Sequence, residues 1–170
     1  MDSTISSSAP LVPYVLKLVD ALSDAVGTSV PAFVNLELLR QMPLGSLGRA
    51  WAESLDTAQL QPLTGGPRRK QLHDGVHLLT GYGTDPIGEA EVQVFLLGAK
   101  PHPAQVVLGL GTLALIHRRV ARFPLRRAKI RDRLWAAYQR GQASRFDVDQ
   151  WQPETQWHLP LAEVRASFGL

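Results

Sequence analysis

Four side chains in this sequence have the types and spacing to bind an ion. His73 and His77 are four residues apart, so on a helix their imidazoles share a face and can grip one cation. Asp74 follows the first histidine and can reach the flank of that face. Glu89 lies six residues after Gly83, and His77 lies six residues before it. If the chain reverses at the Gly81–Gly83 turn, two antiparallel helices rising about 1.5 Å per residue bring His77 and Glu89 to similar height. Two imidazoles and two carboxylates then converge between neighbouring helices, as metal sites of helical bundles commonly do. Each residue also has a plainer explanation. Asp74 can pair with Lys70 four residues before it, and Glu89 can favour a helix N-terminus through the dipole.

The chain has no cysteine, which excludes disulfides, thiolate nucleophiles, iron–sulfur clusters and Cys-type zinc fingers. Any metal must therefore sit on His, Asp or Glu. Zn²⁺, Mn²⁺ and Fe²⁺ fit such a set and soft Cu(I) does not. A site of two histidines and two carboxylates with one open position is catalytic rather than structural in style.

The elements that must position these residues read as helices almost throughout. Val12, Val15, Leu18, Val19, Leu22 and Val26 follow one helix face up to Gly27. Pro31 opens a segment carrying Phe33, Leu36, Leu39 and Met42 that Pro43 stops. Ser46 is placed to cap a helix through Leu55. Pro67 starts a helix that runs to about Gly81, and Asp85-Pro86 caps and starts the next, to about Ala99. Further helices are expected near 104–121 and 125–141, and a short one from Pro160. The stretch from Phe146 to His158, with Trp151 and Trp157, reads as irregular but packed. Alternating strand patterns are almost absent. With 170 residues and 45% hydrophobic content, the expectation is an all-α, single-domain bundle of about seven helices spanning 10–170, after a disordered tail at 1–9. The metal site lies between two antiparallel helices of that bundle.

In this setting the sequence resembles the Coq-four family of coenzyme Q (ubiquinone) biosynthesis proteins. That family is marked by His-Asp-x-x-His, eleven residues, then Glu, matched here by His73-Asp74-x-x-His77, Leu78 to Gly88, and Glu89. Pro43-Leu44-Gly45-Ser46-Leu47-Gly48-Arg49 is similar to the family's Pro-x-Gly-x-Leu-Gly segment. Thr80 to Asp85 and the ending Leu161-Ala162-Glu163-Val164-Arg165 are similar to bacterial members, so the resemblance covers about residues 40–170. It departs at Gly75-Val76, where many members carry bulky aromatic residues.

The resemblance implies an all-helical, membrane-associated protein whose metal, zinc in the family, is bound by His73, Asp74, His77 and Glu89. It implies work on a prenylated hydroxybenzoate precursor of the quinone, described as oxidative removal of the ring carboxyl at carbon one or as organisation of the biosynthetic complex. A non-catalytic scaffold or prenyl-lipid-binding protein is thus the alternative to an enzyme, and no individual catalytic residue is assigned. Zn²⁺ has no redox chemistry, so an oxidative reaction requires dioxygen attacking the electron-rich ring, or iron as the native metal. Other ubiquinone biosynthesis proteins, and a second copy in a homodimer, are the expected protein partners.

The net charge of +3 conceals an asymmetry. Between His117 and Arg140, nine basic residues face only Asp132, an excess of +8 over a remainder of −5. Arg119, Arg126, Arg133 and Arg140 repeat every seven residues, so much of this charge can form one stripe. A stripe of this kind is either a solvated face or a contact for anionic lipid head groups, through Arg118, Arg119, Arg122, Arg126 and Arg127. Nucleic acid is not expected, because no recognition motif or aromatic interleaving accompanies the charge. The preceding helix is apolar nearly all round, and Leu108, Gly109, Gly111 and Leu113 offer a groove for a prenyl tail. No apolar run approaches the roughly 20 residues of a membrane span, and the N-terminus has no signal-like segment. The expected location is the bacterial cytoplasm, peripherally associated with the inner membrane. Gly109-x-Gly111-x-x-Ala114 imitates a dinucleotide fingerprint but lacks a βαβ context, and the upstream histidine required by HD-type phosphohydrolases is missing.

Overall fold

The computed structural model describes residues 30–101 and 124–170. Among them are seven α-helices and no β-strand. In chain order the helices are α1 (Leu36–Arg40), α2 (Leu47–Ala58), α3 (Arg68–Gln71), α4 (His73–Thr80), α5 (Pro86–Ala99), α6 (Pro124–Ala143) and α7 (Leu161–Phe168), with a 3₁₀ turn at Pro153–Thr155 before α7. The all-α expectation is met. The expected tail at 1–9, the helices at 12–26 and 104–121, and the groove residues Leu108, Gly109, Gly111 and Leu113 lie outside the described residues. So do Arg118, Arg119 and Arg122.

Local chemistry explains most helix ends. Ser46 caps α2 by accepting the Arg49 N–H at 3.2 Å, and Gln59, in the left-handed conformation, closes it. The helix expected from Pro31 to Met42 is much shorter. Asn35 accepts the Leu38 N–H at 3.1 Å and starts α1 there. Val34 is buried from non-helical backbone ahead of the helix. The single helix expected from Pro67 to Gly81 is divided at Leu72 into α3 and α4. Leu72 itself stays in the right-handed helical region, with φ -78° and ψ -12°.

The core joins aliphatic side chains to an aromatic cluster. Trp51 on α2 stacks on Trp151 at 5.9 Å and meets Trp157 edge-on at 5.2 Å. Phe146 joins Trp151 and Phe168. The irregular 146–158 stretch is therefore packed, as its two tryptophans suggested, and apolar burial at these sites supplies the main driving force. The end of the chain is tied to the start of α2 by Leu47 N–H to Leu159 O at 2.8 Å, Gly48 N–H to Trp157 O at 2.9 Å and Leu161 N–H to Gly45 O at 2.9 Å. Two segments far apart in sequence, 43–49 and 157–165, thus form one unit.

Helices α5 and α6 pack at close range. A Cβ on Gly98 would stand 2.3 Å from the Tyr138 carbonyl oxygen, and one on Gly141 would stand 2.1 Å from that of Phe95. Glycine at both positions lets the backbones touch. Across the same interface, Arg133 donates to both carboxylate oxygens of the buried Glu91, at 2.8 and 2.6 Å.

Candidate metal centre

His73 opens α4, His77 lies one turn later, and Glu89 lies in the first turn of α5. The connection between these helices fixes their register. Gly81 ends α4 with φ +75°, a conformation that glycine adopts without strain, and donates to the His77 carbonyl at 2.8 Å. Asp85 caps α5 by accepting from Ile87 N–H at 2.9 Å and Gly88 N–H at 3.4 Å, with Pro86 in the first turn, as the sequence suggests. The turn lies flat on the new helix: a Cβ on Gly88 would stand 1.9 Å from the Gly83 carbonyl oxygen. Only glycine fits there, and Glu89 is the next residue.

Three polar groups converge as a result. His73 Nε2 is 3.0 Å from Glu89 Oε2, His77 Nε2 is 3.2 Å from Glu89 Oε1, and the two Nε2 atoms are 3.1 Å apart. The imidazole planes are nearly perpendicular. His77 Nδ1 donates to the Tyr82 carbonyl at 3.1 Å. A carbonyl can only accept, so the proton of the neutral ring is on Nδ1 and the Nε2 lone pair faces His73 and Glu89. Metal-binding imidazoles are commonly fixed in this way. Among the described residues, His73, His77 and Glu89 form a group whose ligand atoms all lie within 4.8 Å of one another. For tetrahedral bonds of 2.0–2.1 Å, ligand atoms stand about 3.3 Å apart, close to the spacings found, so the residues fit an ion such as Zn²⁺.

Asp74 is not part of that group. It follows His73 by one residue, roughly 100° further around the helix, and its carboxylate accepts the Leu63 backbone N–H. Of the four ligands expected, the structure brings three together and leaves Asp74 on the flank.

The electrostatics follow from this packing. Burial opposes charge on Glu89, but hydrogen bonds from His73 and His77 outweigh it and lower its pKa from 4.5 to about 2. Burial likewise opposes charge on His77, yet the hydrogen bond to Glu89 and the negative charge there push its pKa above the usual 6.5. Asp74 is raised, chiefly by burial and against the pull of the two histidines. The Glu89 side chain is 38% exposed, that of His73 24% and that of His77 7%, so the group opens to solvent on the His73–Glu89 side.

No family model matches the chain, and no curated protein matches it. The crystal structure of a Nostoc punctiforme protein, provisionally named a ubiquinone biosynthesis protein, superposes with a TM-score of 0.68 at 22% identity. The match covers 89% of this chain and 74% of that one. The two share a fold.

Of the seven-residue repeat, Arg133 and Arg140 have described side chains, and both find partners within the protein, although the Arg133 side chain stays half exposed. Arg133 pairs with Glu91, while Arg140 donates to the Thr80 carbonyl at 2.7 Å and lies over the Tyr82 ring. Lys129 and Arg131 do face solvent. The backbone at Arg126 and Arg127 is part of α6, and their side chains lie outside the described set. No helix among the described residues is long and apolar enough to cross a membrane. Sequence reasoning missed the Tyr82 carbonyl and the Gly88 contact. A backbone acceptor leaves no trace in residue identity, and Gly88 stands inside a helix, where glycine gives no sign of what it touches.

Proposed function

We propose that this chain is a ubiquinone-pathway protein that holds a divalent metal on His73, His77 and Glu89, with Asp74 beside it, and acts on a prenylated hydroxybenzoate by oxidative removal of the carboxyl at ring carbon one. The observation carrying this reading is the convergence of two imidazole nitrogens and a carboxylate within 3.2 Å, one imidazole locked in the tautomer a metal needs. The name of the structural neighbour points to the same pathway, as does the match of the His-Asp-x-x-His and Glu spacing to the Coq-four family.

A metal held here supplies positive charge that orients and polarises a carboxylate or phenolate. The protein's own groups do the rest. His77, fixed by Tyr82, and Glu89, fixed by the Gly83–Gly88 contact, keep the donor set in place. The solvent-facing side of the group, at His73 and Glu89, is where a benzoate head would approach. Asp74, whose pKa is raised by burial, is suited to hold or release a proton next to that head. Zinc is the metal the family resemblance favours. Iron is the alternative, and with zinc the ring electrons must pass to dioxygen. The segment containing Leu108, Gly109, Gly111 and Leu113 is proposed for the prenyl tail. Arg118, Arg119, Arg122, Arg126 and Arg127 are proposed to meet anionic head groups at the membrane surface, which co-sedimentation with anionic and neutral liposomes tests.

Protein purified without added metal is analysed for metal content and incubated aerobically with a prenylated hydroxybenzoate. Metal-dependent loss of the carboxyl as carbon dioxide, abolished by His77→Ala, supports an enzyme. Metal binding without turnover supports a scaffold or prenyl-lipid binder, and full activity in metal-free protein overturns the reading.

A further inference from the structure

We propose that Arg140, on α6, is a positioning residue for the metal centre: it clamps the turn after α4 so that the Tyr82 carbonyl stays on His77 Nδ1. The proposal rests on the reading that His73, His77 and Glu89 hold a metal.

The turn is short and holds two glycines, Gly81 and Gly83, the second of which is pressed against Gly88. Thr80 ends α4, Gly81 follows with φ +75°, and Tyr82 comes next. Glycine populates both halves of backbone space, so this residue alone does not fix where the Tyr82 carbonyl points. Arg140 grips both sides of it. Its guanidinium donates to the Thr80 carbonyl at 2.7 Å, and its Cζ lies 5.5 Å from the centroid of the Tyr82 ring. The Thr80 carbonyl is one of those a helix C-terminus leaves without an intrahelical partner, and a cation there is favoured by the dipole. The Tyr82 ring also meets Phe95 of α5 edge-on at 6.3 Å. With Thr80 and the Tyr82 ring held by Arg140 and Gly83 pressed against Gly88, the peptide that carries the Tyr82 carbonyl stays 3.1 Å from His77 Nδ1. Removing the clamp frees that carbonyl and lets the His77 ring rotate or change tautomer, which takes Nε2 out of line with His73 and Glu89.

A neighbouring arginine supplies the control. Arg165, on α7, donates to the Leu78 carbonyl at 2.7 Å, near the same end of α4. Its loss removes a comparable bond to the same helix without touching Gly81 or Tyr82.

Zn²⁺ affinity is measured by competition with a chromophoric chelator, and the ligand field by the visible spectrum of Co²⁺-loaded protein, for wild type, Arg140→Met, Arg140→Lys and Arg165→Met. Outer partners of metal-binding histidines typically contribute 10–100-fold to affinity. Arg140 acts one link further out, so Arg140→Met is expected to weaken Zn²⁺ by about tenfold and alter the Co²⁺ bands. Arg140→Lys, which retains a donor and a charge, is expected to recover much of both. Arg165→Met is expected to lower stability while affinity and spectrum stay as in wild type. If Arg140→Met does not fold, Arg140→Lys decides: a spectrum and affinity closer to wild type than those of Tyr82→Gly support the clamp, and values no closer refute it. Wild-type affinity and spectrum in Arg140→Met, or equal loss in Arg165→Met, overturn the proposal. Absence of metal binding in the wild type instead overturns the reading on which it rests.

Discussion

Gly75 stands between the two histidines of α4, on the face that meets the tryptophan cluster. A Cβ built there would lie 2.2 Å from Trp51 Cη2, 2.4 Å from Trp51 Cζ3 and 2.7 Å from Trp151 Cη2. Trp51 is 1% exposed and is packed between Trp151 and Trp157. Two effects of Gly75→Ala therefore oppose each other. Alanine in a helix interior favours folding by about 1 kcal/mol over glycine. Forcing a carbon into a packed core typically costs 1–3 kcal/mol, and contacts this short lie toward the upper part of that range. The net expectation in the wild-type background is destabilisation by about 1–2 kcal/mol.

Trp51→Leu changes the balance. Truncation of a buried tryptophan to alanine costs about 3–5 kcal/mol, so leucine, which fills part of the cavity, costs about 2–3 kcal/mol. With the large indole gone, Trp151 can shift into the vacated space and the clash at position 75 disappears. Gly75→Ala then stabilises by about 1 kcal/mol in the Trp51→Leu background. The sign of one substitution reverses with the identity of a residue 24 positions away, and the coupling is about 2–3 kcal/mol, within the range for residues in direct contact. Urea denaturation of the four metal-free proteins, followed by far-UV circular dichroism, measures it. Equal effects of Gly75→Ala in both backgrounds would refute the packing argument.

Three further outcomes follow from the same geometry. Gly88→Ala sets a Cβ against the Gly83 carbonyl, so the turn must move, and thermal scans with chelator competition are expected to show lower stability and weaker Zn²⁺ binding together. Arg133→Met leaves the Glu91 carboxylate buried without its partner; because Arg133 is half exposed, the loss is expected to be about 2 kcal/mol in denaturant titrations, less than for a fully buried pair. Zn²⁺ affinity is expected to rise with pH through the raised His77 range and then level off, because the metal displaces a histidine proton, whereas Glu89, ionised down to about pH 2, adds no step above pH 4. The metal-free protein should show the opposite trend: His77 contributes stability that is present below its unfolded pKa of about 6.5 and lost as pH rises through its raised folded value.

The sequence made the site more legible than the packing that supports it. Helical spacing placed His73 beside His77, and equal distances from Gly83 placed Glu89 across from them. Both inferences need only the helix rise and a tight turn. Asp74 lies one residue of phase from the histidine face, toward Leu63, and spacing does not show what occupies that side. Seven-residue periodicity defines a face but not its environment: Arg133 and Arg140 pair with groups 42 and 60 residues away, which spacing alone does not show. The shortened α1 reflects local competition in which the Asn35 cap overrides apolar periodicity. Gly75 and Gly88 were silent in the sequence, since what makes them glycine is the indole or the carbonyl pressed against them.

The central claim is that His73, His77 and Glu89 hold one divalent metal. Elemental analysis of chelator-stripped, Zn²⁺-reloaded and gel-filtered protein tests it most directly, with wild type compared to His77→Ala and Glu89→Gln. One metal per chain in the wild type, with a large loss of bound metal in both variants, is the predicted result. A wild type that retains no metal, or variants that retain it at wild-type stoichiometry, would contradict the account.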